Sequence, residues 1–313
     1  MNSIGPGKLR FFAGLLIFAL LQVTLAQAPK SAVKSFMVRT EPNAVVWLDE
    51  VRRGVTDEKG EIAIAAKPGR HVLRVRAQGY QEVTRPLIAL PPGVLAVRLV
   101  TSTDSAELVF QQAEAARDKA QTAEERQKAA ASYRRALQLR TKFPEANLGL
   151  ARVLADLGQS DDALEQIELA RAGRRNYAEA AVVEGRIYRA KGGEEETVAA
   201  FQRALQEARG YQPEAHTGLA LFYQEKGQYE EAVTEFELAL AQLYDSEPLL
   251  YQLLGEVYEK LERYREAIRV YEKFLQLAPK NVIAPAIRST IDQLRRQIAE
   301  QASPPQGLFK VRK

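Results

Sequence analysis

The 313-residue chain has no cysteine, two histidines, two methionines and a single tryptophan. Without thiols there is no disulfide, no thiolate metal site, no covalent haem attachment and no cysteine nucleophile, so packing alone must hold the fold. Anchoring through a lipidated N-terminal cysteine is excluded for the same reason. The two histidines, His71 and His216, are far apart in sequence. Neither sits beside further ligand types at metal-binding spacing. A strand residue is expected at His71 and a packed helical one at His216. No Gly-rich phosphate loop is present, and no long Lys/Arg run supplies the clustered basic face that nucleic acid needs. No catalytic residue, cofactor, metal, nucleic-acid partner or small-molecule substrate is therefore expected. A hydrolase working with carboxylates alone is the one enzyme class that composition leaves open, but the acids here follow helix surfaces.

What is present is unevenly distributed. The formal net charge is +4, yet residues 102–301 hold 27 Lys/Arg against 33 Asp/Glu, while residues 34–101 hold 11 against 7. A basic front thus precedes an acidic back. At the N-terminus, Lys8 and Arg10 lead into an uncharged apolar run from Phe11 to Val23, followed by the small residues of Thr24-Leu25-Ala26. This is the layout of a secretory signal, with cleavage expected after Ala26. The alternative is an uncleaved membrane anchor, although the run is shorter than the ~20 residues that span a bilayer comfortably. The expected location is periplasmic or at the cell surface. Residues 27–33 are read as a linker, and the stretch 302–313, with Pro304-Pro305 and a basic end, as a flexible tail.

Residues 34–101 alternate with period two. Phe36 and Val38 share one side of a strand, Val45 to Leu48 is β-branched and aromatic, and apolar or alternating runs recur at 62–64, 71–76 and 95–100. Turn signals separate them at Pro42-Asn43, Gly54, Lys59-Gly60, Pro68-Gly69, Gly79 and Pro91-Pro92-Gly93. Short strands at such spacing predict a small antiparallel β-sandwich. Trp47 is expected in its core, and Arg74 and Arg76, which share a face, on a solvated one. The run Glu41 to Asp49, with Gly54-Val55-Thr56, Pro68-Gly69-Arg70-His71 and Gly79-Tyr80, resembles the PEGA domain, a β-sandwich found mostly in exported bacterial and archaeal surface proteins. The chain departs from that pattern at Glu50-Val51-Arg52-Arg53, where a glycine turn is usual after the Asp, and at Asn43, where glycine usually precedes the Ala. The resemblance implies a surface location and modular binding, and gives no reaction. Tyr80 is the obvious aromatic for cell-wall glycan contact.

Residues 105–301 carry a repeat. Ala129, Ala163, Thr197, Ala232 and Ala267 recur at intervals of 34 or 35 residues, with Tyr133, Ile167, Phe201, Phe236 and Tyr271 four positions later. Three further on come Ala136, Ala170, Ala204, Ala239 and Phe274. A period of about 34 means stacked helical hairpins. The pattern is similar to tetratricopeptide repeats (TPR), most completely from Pro248 to Pro279, with Tyr251, Leu254, Gly255, Tyr258, Ala267, Tyr271 and Phe274. About five hairpins are expected, closed by a capping helix with Ile283, Ile287, Ile291, Leu294 and Ile298 on one stripe. Thr197 and Phe274 are bulky at close-contact positions, and Arg117 stands where a small residue is expected.

The TPR resemblance implies a concave face lined by the first helix of each hairpin. Asp118, Arg152, Arg186, Leu221 and Glu256 recur there at the repeat spacing, with Ala155, Arg189, Gln224 and Glu259 one turn on. The candidate partner-binding set is Arg152, Arg186, Arg189, Leu221, Gln224, Glu256 and Glu259. Arginine forks suit carboxylates, so the middle of the groove is expected to take an acidic side chain or chain terminus, unless these arginines pair with neighbouring acids. The function expected is an exported, non-enzymatic scaffold that holds a protein or peptide in the groove while the β-domain touches envelope material or a second partner. A membrane-anchored assembly factor and a cell-wall glycan binder are the alternatives.

Overall fold

The computed structural model describes residues 33–302. The leader, all but the end of the linker and nearly all of the tail lie outside them. The β-rich front and the helices belong to one compact unit. Among the described residues no helix is long and apolar enough to cross a membrane.

The front has seven strands: β1 (Lys34–Arg39), β2 (Val45–Leu48), β3 (Val51–Val55), β4 (Glu61–Ala66), β5 (His71–Arg76), β6 (Val83–Leu87) and β7 (Val94–Ala96). They form a four-stranded sheet in the order β3-β2-β5-β6 and a three-stranded sheet in the order β4-β1-β7. Phe36, Val38, Ile64 and Val97 from one sheet meet Val46, Leu48, Leu73, Val75 and Leu87 from the other in one buried cluster. The front is not purely antiparallel, because β7 pairs parallel to β1. The chain reaches β7 from the far edge of the other sheet, so it is not constrained to reverse as a hairpin would be. Strands β3 and β6 have no sequence signal of their own: Arg52 and Arg53 break the apolar alternation of the first, and Pro86 lies in the second. A proline is tolerated there because β6 is an edge.

The β2–β3 hairpin closes on Asp49 and Glu50, both with positive φ, 54° and 63°. Its strands pair Leu48 with Val51 across a two-residue turn, and such turns demand left-handed backbone at both central positions. Glu50 therefore carries a Cβ in a left-handed position, at a cost of about 1–2 kcal/mol. The Asp49 carboxylate accepts from the Val72 amide at 2.8 Å and faces His71 Nδ1 at 2.6 Å, which braces the turn. His71 is thus a structural strand residue.

Behind the front come five helical hairpins: α1 (Ser105–Lys119) with α2 (Ala123–Leu139), α3 (Pro144–Asp156) with α4 (Ser160–Gly173), α5 (Ala178–Lys191) with α6 (Glu194–Glu207), α7 (Pro213–Glu225) with α8 (Tyr229–Leu243), and α9 (Leu249–Lys260) with α10 (Tyr264–Leu277). A last helix, α11 (Ala284–Ala302), buries Ile287, Ile291 and Leu294 on the final hairpin. The repeat pattern has a plain steric cause. A Cβ on Gly149 would lie 2.2 Å from the Tyr133 ring, and one on Gly255 2.3 Å from Tyr271, so glycine on a first helix makes room for the aromatic on a second. Thr197 fits its tight position, fully buried, by donating its hydroxyl to the Gly193 carbonyl. Phe274 is also fully buried. Neighbouring hairpins are tied by a recurring ion pair, in which Lys191 meets Asp161, Lys226 meets Glu194 and Arg263 meets Glu230.

Candidate interaction groove

The outer face of the four-stranded sheet is not solvated. Alternation sends Leu73 and Val75 into the sheet core, so Arg74 and Arg76 point the other way with Val45 and Trp47, toward the helices. Arg74 retains 7% exposure. Its guanidinium lies 4.3 Å from the Trp47 ring centre and that of Arg76 lies 5.0 Å from it, so Trp47 is buried beneath two cations rather than within the sheet core. Both arginines reach acids of the helical stack. Arg74 meets Glu179 of α5 at 3.0 Å, and Arg76 meets Glu114 of α1 at 3.0 Å.

The β2–β3 hairpin makes the second contact. Glu50 meets Arg74 at 3.1 Å and Arg174, from the α4–α5 connection, at 3.4 Å. Val51 is 4% exposed and joins the buried cluster of the last repeats that contains Ala220, Phe236 and Leu243. Arg53 donates to the Tyr211 hydroxyl, which in turn donates to the Gln242 carbonyl at 3.0 Å. Its guanidinium also lies 5.8 and 5.7 Å from the Tyr211 and Tyr244 ring centres. Burying one valine is worth ~1.5–3 kcal/mol, whereas an exposed ion pair gives ~0.2–1 kcal/mol. Val51 is therefore the term large enough to offset the turn strain at Glu50, and the charged contacts set the register.

A third contact comes from Gln111 of α1. It is buried, accepts from the Gly79 amide at 2.8 Å and donates to the Tyr80 carbonyl at 2.8 Å. Tyr80 itself packs against the sheet core, so its ring is not a free platform. Strands and helices share little close backbone packing. Long side chains bridge a gap instead.

That gap is a cavity of about 1060 Å³. Its sheet wall includes Trp47, Arg52, Arg74 and Arg76, and its helical wall includes Glu114, Arg152, Glu179 and Arg186. The electrostatics are dense. Burial works against the Glu114 carboxylate, but Arg117, Arg76 and Arg152, with the Tyr133 hydroxyl, outweigh it and hold its carboxyl below the usual range. Arg117, out of place in the repeat pattern, is explained by its bond to Glu114 at 3.0 Å and to Asp118 at 2.9 Å. Burial pushes the Tyr211 hydroxyl up to about 12 even with Arg53 beside it.

Of the residues marked from sequence, the cavity gathers Arg152, Arg186 and Arg189, with Asp118 and Ala155. Arg152 lies 3.5 Å from Glu179, and Arg189 lies 3.9 Å from Glu225. Arg186 is exposed and forms no ion pair among the described residues. Leu221, Gln224, Glu256 and Glu259 lie outside the cavity lining. Leu221 packs against the buried cluster of the last repeats. Glu259 accepts the Tyr271 hydroxyl and Glu256 accepts from Gln252. Burial, with Glu259 nearby, raises the Glu256 carboxyl. His216 packs as expected, 2.6 Å from Glu235.

Sequence reasoning missed the whole sheet-side wall, Gln111 and a ladder of acids. Glu145, Glu179 and Glu214 stand second in α3, α5 and α7, at intervals of 34 and 35 residues, and all three line the cavity. Their spacing was the available signal. An acid in a first helical turn is also what the helix dipole favours, and that reading hides a second role.

Two family models, both described as tetratricopeptide repeat, match residues 120–187 and 211–280. The search of curated proteins finds no match. Among solved structures, the thermophilic TPR protein TTC0263 of Thermus thermophilus superposes with a TM-score of 0.50 at 23% identity, covering 61% of this chain and 100% of that one. Pseudomonas aeruginosa pilF gives 0.51 at 18% identity, covering 63% and 91%. PilW, described as a type IV pilus biogenesis factor, gives 0.51 at 17% identity, covering 64% and 96%. These likenesses show the fold. The chain thus carries tetratricopeptide repeats over residues 120–187 and 211–280, within a helical solenoid preceded by a β-rich region of two sheets, and such repeats generally mediate protein–protein interaction.

Proposed function

We propose that this protein is an exported, non-enzymatic interaction scaffold that holds a segment of a partner protein between its β-rich front and the concave side of its first three repeats. The observation that carries the reading is the cavity of about 1060 Å³, walled by both regions and open to Arg186 and Arg189. Its size suits a bound segment. Among the described residues Arg186 has no ion pair to break before it takes a partner's carboxylate, and an arginine fork binds that group with two parallel hydrogen bonds. Arg152 is already engaged by Glu179 and serves to hold the wall. The PEGA-like sequence of the front and the N-terminal leader support an envelope location, periplasmic or at the cell surface.

The test is capture from an envelope extract by the full chain and by an Arg186→Glu/Arg189→Glu variant of matched helical content. A partner held by the parent and lost by the variant supports the site. A partner held equally by both removes these arginines from it. Purification of the processed protein from whole cells, with its N-terminal residue determined, checks export. A chain in the membrane fraction that still begins at Met1 favours the anchored alternative.

A further inference from the structure

The groove already has an occupant, and the occupant's chemistry is opposite to the one its arginines invite. Glu114, Glu179, Tyr211 and the Gln242 carbonyl hold Arg76, Arg74 and Arg53 of the β-rich front. The acid ladder continues to Glu214, which has no ion pair among the described residues. Arg74 is more than nine-tenths buried at this surface, and its Nε has no hydrogen-bond partner among the described residues. The charge balance agrees, with a basic front on an acidic stack.

We infer that the concave side of the helical stack carries an arginine-selective docking surface, formed by Glu114, Glu179, Glu214 and Tyr211, and that the β-rich front occupies it as an internal ligand through Arg76 and Arg74 of β5 and Arg53 of the β2–β3 hairpin. A partner entering the groove fully must present an arginine-bearing segment that displaces Arg53 and Arg74. This rests on the groove being an interaction surface, but it uses none of the arginines tested above. Displacement is mechanically simple, because side chains rather than backbone packing bridge the interface, and polar interfaces within a chain are of the kind that open. Release gives up the burial of Val51 against the last repeats, so a displacing partner must bring apolar contact beside its arginines.

The experiment uses the full chain, with Trp47 as an internal reporter. It is the only tryptophan and is buried under Arg74 and Arg76 at this interface. An Arg53→Ala/Arg74→Ala/Arg76→Ala variant removes the three arginines that hold the front to the stack, and none of them belongs to the front's buried apolar core. The probe is the hexapeptide of residues 71–76, His-Val-Leu-Arg-Val-Arg, beside a control with alanine at both arginines. The variant is expected to show red-shifted Trp47 emission with unchanged helical content, and to bind the hexapeptide at least tenfold more tightly than the parent does. It is also expected to bind the hexapeptide at least tenfold more tightly than the control. Adding Glu214→Gln, at an acid with no ion pair to lose, lowers that affinity several-fold. Equal binding of peptide and control, no peptide binding to the variant, or Trp47 emission that stays buried in it would each overturn the inference.

Discussion

The two regions of this molecule are stabilised in different ways. The β-rich front keeps one core, in which residues distant in sequence, such as Val38 and Leu73, meet across two sheets. The helical stack keeps several local cores, and in each an aromatic, Tyr133, Phe201 or Tyr271, enters the glycine notch of a first helix. Loss of one contact in the front therefore threatens all of it, whereas the stack is quasi-one-dimensional and yields locally. The difference also explains the division of labour at the groove. The stack supplies a repeating row of acids, and the sheet supplies a fixed array of arginines.

The contrast breaks most visibly at Tyr271. It is fully buried, packs into the notch at Gly255 and donates its hydroxyl to Glu259. Tyr271→Ala should cost about 3–5 kcal/mol, the range for losing a large buried ring. The loss should be confined to the last repeats, so hydrogen exchange should rise in α9 to α11 while the strands keep their protection. Uniform loss of protection along the chain would show that the stack unfolds as one unit. Leu73→Ala in the sheet core should cost about 2–5 kcal/mol and act in the opposite manner. All strands should lose protection together, Trp47 emission should shift to the red, and most helical circular dichroism should persist.

Acid sharpens the comparison at the seam between the regions. Glu114 is held below the usual carboxylate range in the folded state. A carboxyl depressed in this way contributes stability that is present above its unfolded pKa, near 4.3, and is lost as pH falls through the folded value. The contact between Arg76 and Glu114 should therefore loosen below about pH 4, and Trp47 should report it before the helices melt. Glu114→Gln should flatten that acid limb. At the alkaline end, Tyr211 has its ionisation raised to about 12. Its contribution is present below the unfolded value near 10 and fades as pH rises toward 12, as the hydroxyl loses the proton it donates to the Gln242 carbonyl while Arg53 stays beside the tyrosinate.

How much of this could be read in advance depends on whether the signal is local. The hairpins were legible because small and aromatic residues recur at a fixed spacing, and most strands because alternation and turns do. Strand β3 was not, since Arg52 and Arg53 look like a solvated stretch until they are seen against Asp118 and Tyr211. Arg74 and Arg76 satisfy every local expectation of an exposed face, and nothing in the alternation reveals that another region covers it. The stretch from Glu50 to Arg53 was visible as a departure from the PEGA-like pattern, yet the meaning of Glu50 needed Arg174, more than a hundred positions away. The groove arginines were placed on the right helices by period alone. What that period could not convey is that their neighbours would be filled from within the same chain.

The smallest effect is expected where the two regions join. Asp104 caps α1, accepting from the Ala106 and Glu107 amides at 2.9 and 3.2 Å, and also meets Arg140. The backbone amide of Glu107, more than Arg140, holds its carboxyl below the usual range. Asp104→Ala should cost about 1 kcal/mol, the usual loss on removing an N-cap. The loss should be greatest at neutral pH and vanish as the parent's own carboxyl is protonated below about pH 4. The helix it caps carries Gln111 and Glu114, two of the residues that hold the front. If the front is held from α1, the substitution should speed amide exchange at Gly79 as well as in the first turn of α1. If exchange rises in α1 alone, the seam is held from the hairpin side by Val51 and Arg53, and the first repeat is an independent end of the stack.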